Sequence, residues 1–296
     1  MQVEIIVQIL INIILLTSMY LLVANSFSTI YTVTKFFHIA HAITITSSAY
    51  FTYFFSQQLH YSHWIAVPMA IICASTIGLL SEIVIYKPLR RRNASPLIFM
   101  IASLGIYIVL QNIVSMIWGD DIKSIRLGEV KVGNEFLGAY IADIQIISII
   151  VISVLFITSI VFLSHSRIGR NIQAVASNPE LSNIMGISSD KVILSALVIG
   201  SSLAAVAGIL IAFDTDINPT MGFNWLLYGV VAMIIGGIGS TWGLLGGALL
   251  LSSAQNLSAY FIGSQWMNAV AYILLILFLL AKPLGFSGKR LKKVEI

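Results

Sequence analysis

The fold class this sequence predicts is all-α: a polytopic transmembrane helical bundle of about 8 to 9 spans, with one short helix on its cytoplasmic side. Three observations predict it. Of 296 residues, 58% are hydrophobic and 9% charged, with a mean hydropathy of +0.96, whereas about a quarter of a soluble domain is charged. The apolar residues form continuous runs rather than the short alternating segments of a β-barrel. Between two of these runs lies a polar stretch with definite helix punctuation.

A hydrocarbon core of about 30 Å needs about 20 apolar helical residues to cross it. Runs near that length are read at 5 to 24, 36 to 55, 64 to 85, 97 to 117, 144 to 163, 191 to 213 and 266 to 281, with a glycine-broken region from 225 to 260. The first begins after Glu4 with no basic segment before it and is read as a retained helix. The last is the shortest and is read as crossing only as a tilted or locally thinned span. The whole chain is expected to form one helical permease-like domain, residues 1–296, since no linker or repeat divides it. The single cysteine, Cys73, lies within an apolar run and is assigned to packing.

Orientation follows from Lys and Arg, which collect in short cytoplasmic loops. The turn KPLRRR holds Lys87, Arg90, Arg91 and Arg92 without an acid, and the tail holds Lys282, Lys289, Arg290, Lys292 and Lys293 against Glu295. Both are placed inside. The segment from Asp120 to Asp143 has five acids against Lys123, Arg126 and Lys131, and the turn with Asp214 and Asp216 has no base. Both are placed outside. Met1 then falls outside and Lys35 inside, and the region 225 to 260 must cross twice to bring the tail back in. The net charge of +4 reflects this topology, so nucleic acid is excluded as a partner and the lipid bilayer is the implied surroundings.

Small residues recur four apart: Ala74 and Gly78, then Gly200, Ala204 and Gly208, then Gly239, Gly243 and Gly247. Such spacing lets helices approach closely in lipid. GGIGSTWGLLGG, which includes Gly236, Gly237, Gly239 and Gly243, has enough glycine to break a helix, so it reads either as packing or as the lining of a substrate pathway. His38 and His41, three apart, are read on one face of a span, as buried packing, pathway lining or proton and metal work. Two histidines are too few for a metal site. Gln8 with Asn12 and Gln111 with Asn112 are assigned to interhelical hydrogen bonds, Glu82, within a turn of Lys87, to a local ion pair or a helix-end arrangement, and Asp214 and Asp216 to a solvated turn or a partner contact.

The polar stretch runs SRIGRNIQAVASNPELSNIMGISSDK. Asn178, Pro179 and Glu180 supply a cap, a preset first-turn φ and an acid at the positive dipole end. Gly186 supplies a left-handed stop. Between them Leu181, Ile184 and Met185 share one face of a helix of about two turns, too short to be stable alone in water. It must dock, either on its own protein or headgroups, or on a cytoplasmic partner. Ser188 and Asp190 open the next span near Lys191.

This stretch and the helix after it, together with INPTMGF, GGIGSTWGLLGG, YKPLR and Ala40-His41, resemble the permease subunits of branched-chain amino acid ABC transporters, in matching order over nearly the whole chain. Ala42 stands here in place of the glycine in that family's Asn-Phe-Ala-His-Gly pattern, and its asparagine is absent. The resemblance implies a bacterial or archaeal inner-membrane importer built from two permease subunits, two ATP-binding subunits and an extracytoplasmic solute-binding protein. The short helix would be its coupling helix, with Leu181, Ile184 and Met185 entering an ATPase groove and Arg167, Gly169 and Arg170 flanking the contact. ATP and Mg would belong to the partner subunits, since this chain has no phosphate-cradling G-x-x-x-x-G-K-[ST] loop and is not expected to be an enzyme or to hold a cofactor. The substrates implied are branched-chain or other hydrophobic amino acids, with urea, short amides or another small solute as the alternative. A stand-alone secondary transporter would show more ionisable residues deep in the spans, and a membrane enzyme a nucleophile with its base.

Overall fold

A computed structural model describes residues 2–126 and 133–286 of the chain. The basic tail from Lys289 to Lys293, with Glu295, and residues Glu129 and Lys131 of the acidic segment lie outside the described residues. Twelve α-helices and one β-hairpin are described. They fall into two compact units, one of Met1–Ser28, Lys131–Val161 and Tyr228–Ile296, the other of Thr29–Val130 and Phe162–Leu227. Six helices are long and apolar enough to cross a membrane, and a bent pair brings the count to as many as seven.

Helix α1 (Gln2–Thr34) runs well beyond the expected end at 24. Polar residues there do not break it, because their hydroxyls bond the preceding turn: Ser26 Oγ donates to Val23 O at 2.8 Å and Thr34 Oγ1 to Ile30 O at 2.9 Å. Lys35 ends the helix in the left-handed conformation (φ 57°), its N–H donating to Tyr31 O at 2.9 Å. As a result the next helix, α2 (His41–Tyr53), starts five residues later than expected and continues through a π-helical turn, Phe54–Gln58.

In the second unit α2 is the hub. Eleven of its thirteen residues are buried although many are polar. Several of its hydroxyls bond its own carbonyls, as Ser48 Oγ does to Ile45 O (2.8 Å) and Thr52 Oγ1 to Ser48 O (2.7 Å), which offsets the cost of burying them, whereas the buried Tyr50 hydroxyl finds no hydrogen-bond partner among the described residues. Helices α3 (His63–Ser81), α5 (Pro96–Trp118) and α9 (Ser189–Asp214) pack around it. The four-spaced small residues do as expected: Ala74, Gly78, Gly200, Ala204 and Gly208 are all buried, and a Cβ on Gly208 would lie 2.2 Å from the carbonyl oxygen of Ile45.

Helix α3 passes through a π-helical turn, Glu82–Tyr86, into α4 (Lys87–Arg91), giving one span His63–Arg91. The basic KPLRRR is thus mostly the end of a helix, not a loop. Pro88 sits in the first turn of α4, where its missing N–H is tolerated. Helix α9 ends at a turn joined to the segment after α5, with Lys123 and Ile217 exchanging backbone bonds of 3.0 and 2.8 Å and Arg126 pairing with Asp216 at 3.4 Å. This joins two segments that charge alone had placed outside.

In the first unit the hairpin of β1 (Asn134–Phe136) and β2 (Ala139–Ile141) turns through Leu137 and Gly138, both at positive φ, and precedes α6 (Asp143–His165). Gln8 accepts from Tyr140 N (2.9 Å) and donates to Tyr140 O (3.2 Å), so it ties α1 to the hairpin, besides donating to Asn12 within its own helix. Gln111 and Asn112 likewise bond within α5, to Ser115 and to Ile108 O, not between helices as expected. Helices α10 (Met221–Gly236) and α11 (Thr241–Phe261) meet at 117°, with the break at the expected glycines, and α12 (Met267–Ala281) follows a single 3-10 turn.

Gly208→Val would set a branched side chain against the backbone of α2, which cannot yield as a flexible side chain can. We expect a loss of about 1–3 kcal/mol, read as a lower melting temperature of the detergent-solubilised chain.

Candidate coupling site and buried histidine cluster

The polar stretch folds into two helices. Ser166 Oγ accepts from Gly169 N at 2.8 Å and starts α7 (Arg167–Ser177), a helix where only a basic segment is expected from Arg167 and Arg170. Its signal was present: Ile168, Ile172 and Val175 recur at three to four residues after a serine cap. Gly169, Ile172 and Val175 are buried, and the last two pack on Val192, Ile193, Ala196 and Leu197 of α9. A Cβ on Gly169 would lie 2.3 Å from Phe162 O, so this glycine permits the tight turn from α6 into α7. Arg170 donates to His165 O at 2.8 Å and closes the end of α6, while Arg167 is exposed.

Helix α8 (Pro179–Ile184) starts and stops as its sequence demands. Asn178 Oδ1 accepts from Leu181 N at 2.9 Å, Glu180 lies in the first turn, and Gly186 takes φ +83°. The apolar residues face outward: Leu181 is 55% exposed, Ile184 81% and Met185 74%. Beneath them, Asn183 Oδ1 accepts from both the N–H (3.0 Å) and the hydroxyl (2.9 Å) of Ser189, which fixes α8 to the first turn of α9.

One residue further on, Asp190 pairs with Arg90 Nε at 3.0 Å, and the same guanidinium bonds the carboxylate of Glu82. Arg90, rather than the expected Lys87, is therefore the partner of Glu82. Its single planar group serves two carboxylates, one of them only 1% exposed. Burial of the carboxylate is tolerated because the charge is paired at close range.

His38 precedes α2, in the non-helical segment, and His41 is its first residue, so the two do not share a helix face. They are nonetheless neighbours, with ring centres 5.9 Å apart at 87°. His38 is 2% exposed and His41 fully buried. Tyr86 stands edge-on to His38 at 5.0 Å, Phe36 lies 5.7 Å away, and Phe36 stacks on Phe99 at 4.9 Å. Ser103 Oγ accepts from Ala40 N at 2.8 Å and pins the segment between the histidines. The result is an aromatic box on the π-helical turn that also carries Glu82. Among the described residues no group of three metal-ligating side chains is assembled. Beside the box, burial holds the ammonium of Lys35 below its usual value.

At the break of α10 and α11, a Cβ on Gly236 would lie 2.1 Å from Gly243 O, and one on Gly247 2.0 Å from Ala232 O. Gly237 and Gly239 take φ of 100° and 82°, and Ser240 caps α11 by accepting from Gly243 N at 3.1 Å. Phe286 N donates to Ile235 O at 2.9 Å, so a segment after α12 satisfies backbone freed by the break. These glycines serve close helix crossing and the sharp turn. Gly285, on which a Cβ would lie 2.5 Å from Gly237 N, and Phe286 reach the break from far along the chain, so no local pattern in the sequence marks them.

A polytopic helical chain with a capped, outward-facing apolar helix between two spans fits the transport permeases. The comparisons agree: residues 9–279 match the family model of the branched-chain amino acid transport system permease component, and the chain belongs to that family. It is 33% identical to the high-affinity branched-chain amino acid transport system permease protein LivH of Escherichia coli K12, over 93% of this chain and 92% of the relative. It is also 33% identical to BraD, of the same description, from Pseudomonas aeruginosa, over 95% of each. The ribose import permease protein RbsC of Escherichia coli K12 is 24% identical over 73% of this chain and 68% of its own. PsaBC from Streptococcus pneumoniae, solved in complex with a Fab, shares the fold at a TM-score of 0.50 and 11% identity, over 92% of this chain and 91% of that one. The chain is a multi-pass protein of the inner membrane.

Removing the guanidinium from between Glu82 and Asp190 leaves a buried carboxylate uncompensated. Arg90→Met should therefore destabilise the chain by about 3–5 kcal/mol, and Glu82→Gln in the same chain should recover most of that loss. Thermal unfolding of the two variants beside the native chain checks both expectations.

Proposed function

We propose that this chain is a membrane-spanning subunit of an ATP-driven, binding-protein-dependent importer of branched-chain or other hydrophobic amino acids. It would work with a second permease subunit, two ATP-binding subunits that hold ATP and Mg, and an extracytoplasmic solute-binding protein. The observation that carries the reading is α8: a helix of one and a half turns, capped at both ends, hydrogen-bonded to α9 and offering Leu181, Ile184 and Met185 to solvent. Such a face has no stabilising role in an isolated chain. It is suited to an apolar groove on a partner, in the manner of helix-in-groove recognition.

In this reading α1, α2 with its π turn, α3 with α4, α5, α6, α9, α10, α11 and α12 are nine crossings, Met1 lies outside and the tail inside. The contact of Phe286 with Ile235 supports placing the α10–α11 break on the side of the tail. Arg90, joined to Asp190, supports placing α8 on the side of the basic helix α4. Movement of α8 would be carried to α9 by Asn183 and Ser189, and from Asp190 through Arg90 to the turn that bears Glu82 and Tyr86.

Leu181→Glu puts a charge where the ATPase groove would receive a leucine, without disturbing a buried contact. Co-purified ATP-binding subunits should be lost while the chain remains folded; their retention would sink the docking role. A Cβ on Gly186 meets nothing within 4 Å, so any effect there comes from its positive φ alone. Gly186→Val should cut leucine uptake sharply, whereas Gly186→Asn, which tolerates the left-handed region, should preserve most of it. Parallel uptake of labelled leucine, ribose and urea by cells carrying the full system tests the substrate class.

A further inference from the structure

A second aromatic cluster lies on α2 around Tyr50, about 13 Å along the helix from His41. Trp118, the last residue of α5, stands 5.3 Å from the ring of Tyr50, 6.2 Å from Phe51 and 6.4 Å from Phe54. An interfacial aromatic belt presents its rings to headgroups at the lipid-facing surface. Here the tryptophan packs instead on the enclosed hub: Tyr50 is fully buried, while Phe51, Phe54 and Trp118 keep part of their surface open. The orphaned Tyr50 hydroxyl belongs to this cluster, and a buried hydroxyl left without a partner is costly until something completes it.

The loop after α5 supplies charge beside the cluster. Gly119 takes φ +81° and ends α5 directly after Trp118, its N–H donating to Ser115 O at 2.8 Å, so the chain turns at once into Asp120. The loop is then fixed over the end of α2: Gln57 Nε2 donates to Ile125 O at 2.9 Å, and Ile125 is buried. Lys123 is paired with Asp121 at 3.9 Å and Arg126 with Asp216 at 3.4 Å. Asp120 pairs with no base among the described residues, and it lies near enough for its charge to act on the Tyr50 hydroxyl. Ring faces, a phenol oxygen and a carboxylate are all partners for a cation, and beside open phenylalanine surface they suit a primary ammonium that carries an apolar side chain.

We propose that Tyr50, Phe51, Phe54, Trp118 and Asp120 form a binding site for the ammonium end of an apolar amino acid. Asp120 pairs with the ammonium, the Tyr50 oxygen accepts one of its hydrogens, and the indole of Trp118 covers the charge. The apolar side chain lies against Phe51 and Phe54. Trp118, at the end of its helix and next to a glycine, is the ring that gives way to admit the ligand. The site rests on the importer reading for its ligand and for the outward face of this loop, and it adds selection for an ammonium group, which urea and short amides lack.

The test uses the full chain in detergent with leucine, with isopentylamine, which keeps leucine's ammonium and lacks its carboxylate, and with isocaproate, which keeps the carboxylate and lacks the ammonium. Leucine and isopentylamine should raise the melting temperature of the native chain in a saturable way, and isocaproate should not. Tyr50→Phe removes a hydroxyl that nothing in the fold holds, and Asp120→Asn removes an exposed charge, so neither should lower the melting temperature without ligand. Each should nonetheless weaken the apparent affinity for leucine by about tenfold or more. Unchanged affinity in either variant, a response to isocaproate equal to that to leucine, or no response of the native chain overturns the proposal. So does a lower melting temperature of unliganded Tyr50→Phe, which would show the hydroxyl to be paired within the fold. The importer reading is judged separately, by ATP-binding subunits that co-purify with the native chain; their retention beside a failed leucine response strikes out this site alone.

Discussion

The second unit depends on one constraint, the burial of α2 on all sides. A central helix enclosed by others has no lipid-facing side on which to place bulk, so its neighbours must come to backbone distance. Gly222 shows how close: a Cβ there would lie 2.1 Å from Ala42 O, and its N–H donates to Thr46 Oγ1 at 3.1 Å. The serines and threonines of α2 make this tolerable because their hydroxyls return to the helix's own carbonyls. Small residues on the neighbours and hydroxylated ones on the hub are two halves of one packing solution.

That rigidity gives meaning to the polar contacts at its edges. Glu82 is buried and paired, and the arginine that pairs it also reaches the first turn of α9, to which α8 is hydrogen-bonded. A short chain of directional bonds thus runs from the most exposed apolar helix of this unit to the turn under His38. In a low-dielectric interior such bonds are strong when complete and costly when broken, so the parts they join are expected to move together.

The first unit solves a different problem, how to bend a helix sharply without leaving its backbone unsatisfied. Glycines bring α10 and α11 within touching distance at the break, Ser240 caps the second helix, and the chain after α12 returns to bond Ile235. At membrane depth water cannot provide those bonds. The glycines at the break account for this turn by close approach and positive φ.

The sequence by itself determined the class, the positions of most spans and both ends of α8, because these rest on local properties: hydropathy over a turn-by-turn window, a capping asparagine and a glycine at positive φ. It also showed the family, through motifs in order along the chain. Its errors were equally local in origin. The polar run after Ala24 looked like the end of a helix, and the apolar residues before His41 looked like the start of one. Only the tertiary structure decided which pairs meet: Glu82 with Arg90 rather than Lys87, His38 with Tyr86, Gln8 with Tyr140, Phe286 with Ile235. Such partners are set by how helices cross, and a one-dimensional pattern does not encode the crossing until the whole bundle has packed.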